Sequence, residues 1–293
     1  MRILFSLLSL LPALAAFVGC APQREDSAQT QIWVSLLPQK AVVEAITGDR
    51  AEVSVMVRAG QSPETYSPGA QQMAALAKAD LYFGIGMPLE RMILAKIERS
   101  MPQLTFVQTG ELSEASAHQD GHQHHAGCVH GDQDPHVWMD PIWMLGFVAE
   151  VTAALIKFDP ASAEFYQANA DGVSQRLRAL DASLRVQMAP YVGRSFYINH
   201  PSLGHFAERY GLAQRSIEHA GSAPSAKQIA GLIQSAKDEQ VGAIFTQPEF
   251  GRSSADVLAR ALGVEVVELD VLSGEYFSNM LDIAGRLEDS FQR

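Results

Sequence analysis

The chain has 293 residues, of which 47% are hydrophobic and 19% are charged, enough apolar sequence to bury one or two ordinary cores. Its formal net charge of −11 argues against a nucleic-acid-binding protein, because such proteins present basic surfaces. A negative net charge is compatible with an extracytoplasmic protein that attracts cations, although most acidic proteins are simply soluble.

The first 19 residues predict a signal peptide. A basic start at Met1-Arg2 precedes an apolar run that is slightly short for a membrane-spanning helix of about 20 residues. The run ends in "FVGC", and a small residue directly before a cysteine resembles a bacterial lipoprotein cleavage site. We therefore expect Cys20 to become the lipidated N-terminus and residues 20–30 to form a tether. A plain signal peptide and an uncleaved anchor are the alternatives.

From residue 31 onward, predicted strands and helices alternate. The first part of the chain has strands at 32–37, 51–57, 81–86 and 104–107, and helices at 39–49, 70–79 and 89–100. This order predicts a parallel sheet covered by helices, which we assign to an N-terminal lobe over residues 31–160.

Residues 110–134 interrupt this alternation. They are polar and lack apolar periodicity, which predicts a disordered loop. Asp140-Pro141, just beyond it, predicts a helix start, because aspartate can cap and proline at the first helical position lacks an N–H that would be unpaired anyway. Five histidines belong to the loop: His118, His122, His124, His125 and His130.

The longest predicted helix covers residues 161–189 and would span roughly 43 Å, longer than one lobe needs. After it, strands are predicted at 195–199, 243–247 and 264–269, and helices at 202–211, 225–239, 254–263 and from about Glu275. The sequence therefore predicts an α/β fold with two lobes, each with a parallel sheet flanked by helices. One long rigid helix joins the lobes, and the C-terminal lobe covers 190–293.

Four side chains that can bind metals lie at predicted strand ends, where ligands bind in open α/β sheets. Glu64 lies in the loop after strand 51–57, and His136 lies in "DPHVWMDP". His200 and Asp270 directly follow strands 195–199 and 264–269, with Glu249 as a reserve carboxylate. Two imidazoles and two carboxylates facing a cleft suit zinc or manganese. No pair has the spacing of a helical H-x-x-x-H motif, so spacing alone is a weak indication.

These residues lie in motifs that resemble the metal-specific solute-binding proteins of bacterial ABC importers, the ZnuA/TroA type. The resemblance covers nearly all of the chain after residue 30 and is most specific at "DPHVWMDP" and at the block after His200. Its other marks are "GQSPETYSP", "FYQANADG", "SAPSAKQIAGLI", "IFTQPEF" and "VVELDVL". It implies two lobes with a metal in the inter-lobe cleft, and delivery of that metal to a membrane permease.

The resemblance also implies the ligands. His136, His200 and Asp270 match family ligand positions, although the late aspartate is a ligand in many members and not in all. The first family ligand is usually a histidine, and Glu64 stands at that position here. We favour Glu64 as an oxygen ligand; the alternative is an exposed side chain with water in its place.

The remaining candidates are less defined. The loop histidines resemble the flexible segment of zinc-specific members, which could bind zinc weakly near the cleft; the alternative is an inert polar insertion. Cys128 lies among them and is either a weak metal ligand or a tolerated free thiol. His205 is expected on a helix surface or in packing, His219 has no assigned role, and Trp138 and Tyr66 are expected to pack near the metal.

The sequence thus favours an extracytoplasmic zinc-binding lipoprotein, periplasmic or at the cell surface, and not an enzyme. We expect it to be a monomer whose partners are an ABC permease and, through a lipid anchor, the membrane. A manganese- or iron-binding member of the same family is one alternative. The others are a secreted zinc-dependent hydrolase with Asp270 as its base, and an adhesin-like or metal-buffering surface lipoprotein.

Overall fold

The structure, a computed structural model, describes residues 29–110, 134–218 and 222–293. The predicted signal peptide and most of the tether and of the histidine-rich loop fall outside these ranges. Eight residues discussed above also lie outside these ranges: Cys20, His118, His122, His124, His125, Cys128, His130 and His219.

The first sheet has four parallel strands in the order β2-β1-β3-β4. Parallel strands between helices are covered on both faces, which explains why β3 is apolar throughout and fully buried. The strands are β1 (Thr30–Val34), β2 (Ala51–Val55), β3 (Leu81–Gly84) and β4 (Thr105–Gln108), and the helices between them are α1 (Leu37–Thr47), α2 (Ala70–Leu76) and α3 (Pro88–Ser100).

Two helices follow the first sheet. Helix α4 (Trp143–Phe158) begins two residues later than the predicted start at Pro141. The Asp140 carboxylate accepts a hydrogen bond from the backbone N–H of Ile142 at 2.8 Å. Ile142 precedes the first residue of α4, so this bond stabilises the turn before the helix and not the first helical turn. Helix α5 (Ala163–Met188) has 26 residues and packs against α1, α4 and the last helix of the chain. Four apolar side chains at helical spacing lie on its buried face: Val173, Leu177, Leu180 and Leu184.

The second sheet repeats the arrangement of the first, in the order β6-β5-β7-β8, again with all strands parallel. Strand β6 has the sequence Ala-Gln-Arg-Ser and was not predicted, because it is a half-buried edge strand without an apolar run. The strands are β5 (Ser195–Ile198), β6 (Ala213–Ser216), β7 (Ala243–Thr246) and β8 (Glu265–Glu268), and the helices are α6 (Gly204–Tyr210), α7 (Ala226–Asp238), α8 (Ser253–Leu262) and α9 (Tyr276–Phe291).

The hydrophobic core runs through both lobes. One continuous cluster of buried side chains includes strands of the first sheet, the inner face of α5 and the buried face of α9. A smaller cluster around Tyr197, Ile244 and Leu258 fills the outer side of the second sheet. Two parallel sheets flanked by helices and connected by a long helix confirm the predicted two-lobed α/β fold class. Among the described residues, no helix is both long enough and apolar enough to span a membrane.

Candidate metal centre

Three of the predicted ligands meet between the two sheets. Glu64, His136 and His200 each offer one ligand atom, and these three atoms all lie within 4.8 Å of one another. Both histidines are buried, with 4% of each residue exposed, whereas Glu64 belongs to the exposed loop between β2 and α2. The two imidazole rings meet edge to face, with 5.3 Å between their centroids.

The His200 ring is held from several sides at the carboxyl end of β5. Gln247, which follows β7, donates from Nε2 to the backbone oxygen of His200 at 2.7 Å and to Ser202 Oγ at 2.5 Å. Phe250 stacks on the imidazole, with 4.2 Å between centroids and 14° between planes. The adjacent ends of β5 and β7 therefore fix both the main chain and the ring plane of His200.

Both ring nitrogens of His200 lack a properly oriented hydrogen-bond partner. Nε2 lies 3.0 Å from Glu64 Oε1, and Nδ1 lies 3.7 Å from Glu218 Oε2, but neither contact has hydrogen-bond geometry. Buried polar atoms are nearly always paired. An imidazole nitrogen and a carboxylate oxygen that lie 3.0 Å apart, at an angle unfavourable for a hydrogen bond, are placed as two ligands of one cation would be, so the residues present suit a divalent metal.

His136 is oriented by a neighbouring carboxylate. Asp134 Oδ1 accepts from the backbone N–H of His136 at 3.0 Å and lies 2.7 Å from its Nδ1. An ionised carboxylate only accepts, so Nδ1 carries a hydrogen, which leaves Nε2 as the nitrogen that a metal would bind. Burial alone would raise the pKa of Asp134, but the hydrogen bond and charge of His136 outweigh it and leave that pKa below its ordinary value.

Glu64 has the electrostatic character of a ligand. The adjacent His200 imidazole lowers the pKa of the Glu64 carboxyl; burial acts in the opposite direction, and the charge of His136 lowers the pKa further. The carboxylate is therefore ionised at neutral pH and available as an oxygen donor. With two nitrogens and one oxygen, the group offers three of the four ligands of a tetrahedral site.

Asp270 does not join this group. In the part of the chain that the structure describes, no close cluster of potential ligands includes it. Asp270 follows β8 as predicted, but it is exposed, and its Oδ1 accepts from the backbone N–H of Leu272 at 3.0 Å, which turns the carboxylate toward its own loop. Its role as a ligand stays a prediction. The reserve carboxylate, Glu249, has a pKa raised by burial and by the charges of Asp270 and Glu268.

Other predicted residues have clear positions. Trp138 is buried beside the site, with 5.2 Å between its ring centroid and that of His136, and its Nε1 donates to the backbone oxygen of Val271 at 2.8 Å. Tyr66 donates from its hydroxyl to Gln72 Oε1 at 2.6 Å. His205 is not merely a surface residue: its Nε2 lies 3.0 Å from the backbone oxygen of Asp134.

Sequence analysis missed the residues that support the two histidines. Asp134 stands two positions before His136, so a carboxylate next to a predicted histidine ligand could have identified it. Glu218 donates its backbone N–H to Asn199 and accepts from the Asn199 side chain at 2.8 Å, which places it beside His200. Nothing local in the sequence indicates that contact, because 18 residues separate Glu218 from His200.

The fold and the cluster define a two-lobed α/β protein with a candidate metal centre between its lobes. A sequence model of the ZnuA family, described as "Zinc-uptake complex component A periplasmic", matches residues 32–290. The chain therefore belongs to the ZnuA family, which confirms the resemblance stated above.

Individual relatives agree with this assignment. The chain is 24% identical over 292 residues to the zinc-binding lipoprotein AdcA of Streptococcus pneumoniae serotype 4, covering 93% of this chain but only 58% of that protein. It is 26% identical over 265 residues to the high-affinity zinc uptake system protein ZnuA of Bacillus subtilis strain 168, covering 87% and 82%. The solved structure of a ZnuA deletion mutant with zinc bound superposes with a TM-score of 0.79 and 29% identity, covering 90% of this chain and 98% of that one.

Proposed function

We propose that this protein binds zinc outside the cytoplasm and delivers it to the permease of an ABC importer. The observation that carries the proposal is the convergence of two buried imidazoles and an ionised carboxylate between the lobes, with their ligand atoms all within 4.8 Å of one another. Membership of the ZnuA family and the names of the relatives, which specify zinc binding and zinc uptake, support the choice of metal and of transport.

The ligand chemistry supports zinc over manganese. Two imidazoles with one carboxylate suit a borderline cation, and the intrinsic affinity of such a site is higher for zinc than for manganese. Manganese or iron is the alternative cargo, since a carboxylate ligand is harder than the imidazole usual at this position. We propose Asp270 as a fourth ligand that would reach the metal only if the loop after β8 rearranged, and otherwise water would complete the coordination.

A binding role is more consistent with the site than a hydrolytic one. A zinc hydrolase needs a base beside the metal-bound water. Asp270, the candidate base, is exposed and accepts a hydrogen bond from Leu272, and the relatives' names describe binding and uptake. We further propose that Cys20 is lipidated and anchors the protein to a membrane; incorporation of labelled palmitate into the natural chain but not into Cys20→Ser tests this.

The experiment that tests the function has two stages. Protein purified without added metal is analysed for bound metals, and its zinc affinity is measured by competition with a chelator for the natural chain, His136→Ala and His200→Ala. Each variant lacks one nitrogen ligand, so both should lose tight binding. Cells lacking the gene should then take up zinc poorly when zinc is scarce. Wild-type affinity in both variants, or manganese as the metal that co-purifies, would contradict the proposal.

A further inference from the structure

Helix α6 begins four residues after His200 and contacts both ends of the segment that carries His136. We call that segment, residues 134–140, the metal turn. His205 and Arg209 lie four positions apart on α6 and therefore share one face of the helix. His205 reaches Asp134, the first residue of the metal turn, and Arg209 reaches Asp140, the last one.

The His205 contact continues directly to the candidate ligand. His205 Nε2 lies 3.0 Å from the backbone oxygen of Asp134, and because a carbonyl oxygen only accepts, this nitrogen must donate. The carboxylate of the same Asp134 lies 2.7 Å from His136 Nδ1. His205 thus holds in place the residue that orients the His136 ring, although the two imidazoles belong to separate parts of the chain.

The Arg209 contact fixes the other end of the metal turn. Arg209 Nε lies 3.1 Å from Asp140 Oδ1 and 2.9 Å from Asp181 Oδ1 on α5, and the Arg209 side chain is only 14% exposed. Asp181 is anchored in turn by the hydroxyl of Tyr210 at 3.2 Å and by Arg185 Nε at 2.9 Å. One guanidinium therefore joins the metal turn, α6 and the long helix in a largely buried ion network.

We propose that His205 and Arg209 are positioning residues. They hold the imidazole of His136 at the position and orientation in which it can share a metal ion with the imidazole of His200. Neither touches the metal. His200 lies only four residues before the start of α6. Contacts that fix both ends of the metal turn to α6 therefore hold the imidazoles of His136 and His200 at a constant separation before a metal binds. Residues that orient metal ligands typically contribute about 10–100-fold to metal affinity. The inference rests on the proposed metal-binding function and adds to it the residues that set its affinity.

Two matched pairs of variants test the proposal. Arg209→Gln and Arg185→Gln each remove one guanidinium from Asp181. Arg209 also pairs with Asp140 of the metal turn, whereas Arg185 pairs with Asp181 along its own helix and has a side chain that is 46% exposed. His205→Leu removes the donor to Asp134, whereas His205→Gln keeps an N–H at a similar distance from the backbone. We expect zinc affinity to fall about tenfold or more in Arg209→Gln and His205→Leu and to stay within about threefold in the two matched variants.

A spectroscopic measurement separates positioning from general stability. In metal-free protein, the ring nitrogen shifts of His136 report which nitrogen carries the hydrogen. The natural chain should show hydrogen on Nδ1, and His205→Leu should show a mixture of tautomers, because Asp134 is no longer held. If Arg209→Gln fails to fold, Asp140→Asn breaks the same ion pair from the other side and takes its place.

The results distinguish two kinds of failure. Equal zinc affinity in Arg209→Gln and Arg185→Gln, or equal affinity in the two His205 variants, would overturn the positioning role while leaving the metal site intact. Retention of tight zinc binding in both His136→Ala and His200→Ala would instead overturn the proposed site itself.

Discussion

At the scale of single residues, Glu64 determines the character of the candidate site. It supplies an ionised oxygen where the resemblance leads one to expect a nitrogen, and it is the most exposed of the three clustered residues. A carboxylate is a harder ligand than an imidazole, so this position should influence which cation is preferred. The other two candidate ligands are buried and held by neighbouring side chains, so Glu64 is the candidate ligand that its surroundings constrain least.

Two substitutions of Glu64 should show whether it binds the metal and whether it influences which metal is preferred. Glu64→Ala removes one ligand and should weaken zinc binding, whereas Glu64→His should preserve or strengthen it and increase the preference for zinc over manganese. Competition titrations with both metals measure this. Glu164→Ala, which removes an exposed carboxylate at the start of α5, controls for the change in net charge. Unchanged zinc affinity in Glu64→Ala would show that the side chain is not a ligand.

Asp134 should control affinity without touching the metal. Asp134→Asn removes the charge that fixes hydrogen on His136 Nδ1, and loss of such an orienting carboxylate should weaken zinc binding by about 10–100-fold. Asp80→Asn is the matched control, because Asp80 Oδ2 also accepts from a backbone N–H, that of Gln31, at 2.8 Å, but at the amino ends of β1 and β3. Similar zinc affinities in the two variants would rule out the orienting role.

The sequence led to the three clustered candidates more readily than to the residues that support them. Glu64 and His200 follow strands of the first and second sheets, and ligands bind at the carboxyl ends of such strands, whereas His136 was named from its motif. Asp270 also follows a strand, but it is not among the clustered side chains, and its Oδ1 accepts from the backbone N–H of Leu272. Side-chain direction at a strand end depends on such local bonds, which a strand pattern does not contain.

At the scale of secondary-structure elements, Glu90 joins the first turn of α3 to the sheet. It is buried, and its carboxylate accepts from the backbone N–H groups of Ile85, Gly86 and Met87 and from the Ser35 hydroxyl after β1. Burial raises the pKa of the Glu90 carboxyl, against the lowering effect of these hydrogen bonds. These hydrogen bonds tie the start of α3 to the loop after β3 and to the residue that follows β1.

Two substitutions of Glu90 should therefore differ. Glu90→Ala leaves buried N–H groups unpaired and should reduce the free energy of unfolding by about 1–3 kcal/mol. Glu90→Gln should cost less, because its amide can donate to Ser35 while its oxygen accepts from the backbone. Denaturant unfolding of both variants measures the difference, with Glu98→Ala on the exposed face of α3 as control. A larger loss for glutamine than for alanine would show that these hydrogen bonds are not what Glu90 contributes.

The elements themselves show which patterns sequence analysis can read. Most predicted strands and helices are present, with ends shifted by up to three residues. They could be predicted because buried strands have apolar runs and helices that pack on one side have apolar residues at helical spacing. Strand β6 was missed because its polar sequence pairs only through its backbone with β5. Its existence depends on a neighbouring strand from another part of the chain, which local patterns do not encode.

At the scale of the whole molecule, the metal turn is bound to the second lobe along its length. Trp138 donates from Nε1 to the backbone oxygen of Val271, and the Tyr276 hydroxyl donates to the backbone oxygen of Trp138, both at 2.8 Å. Together with the contacts of α6, these bonds connect the segment after the first sheet to the loop after β8 and to α9. The two imidazoles therefore belong to one packed unit, and Glu64 approaches it from the first lobe.

None of the proposed ligands belongs to the histidine-rich loop. Deleting residues 115–131 removes His118, His122, His124, His125 and His130 but none of the proposed ligands. Both flanks of the deletion have their own anchors, because the backbone N–H of Gly110 donates to Glu150 Oε2 at 2.6 Å and Asp134 is bound to His136 and His205. The fold and the tight zinc site should therefore survive the deletion.

The loop histidines should bind zinc only weakly, since ordering a free chain around a metal costs on the order of 1–2 kcal/mol per residue fixed. Zinc titration of the intact and shortened proteins at two pH values measures this. The deletion should remove weak sites from the stoichiometry and shift the tight dissociation constant by no more than about threefold. The loop sites should be lost first as the pH falls through roughly 6.5, where free imidazoles become protonated. A full-length variant with these five histidines replaced by alanine should behave like the deletion. Loss of the tight site in both proteins would place the zinc in the loop and exclude the site between the lobes.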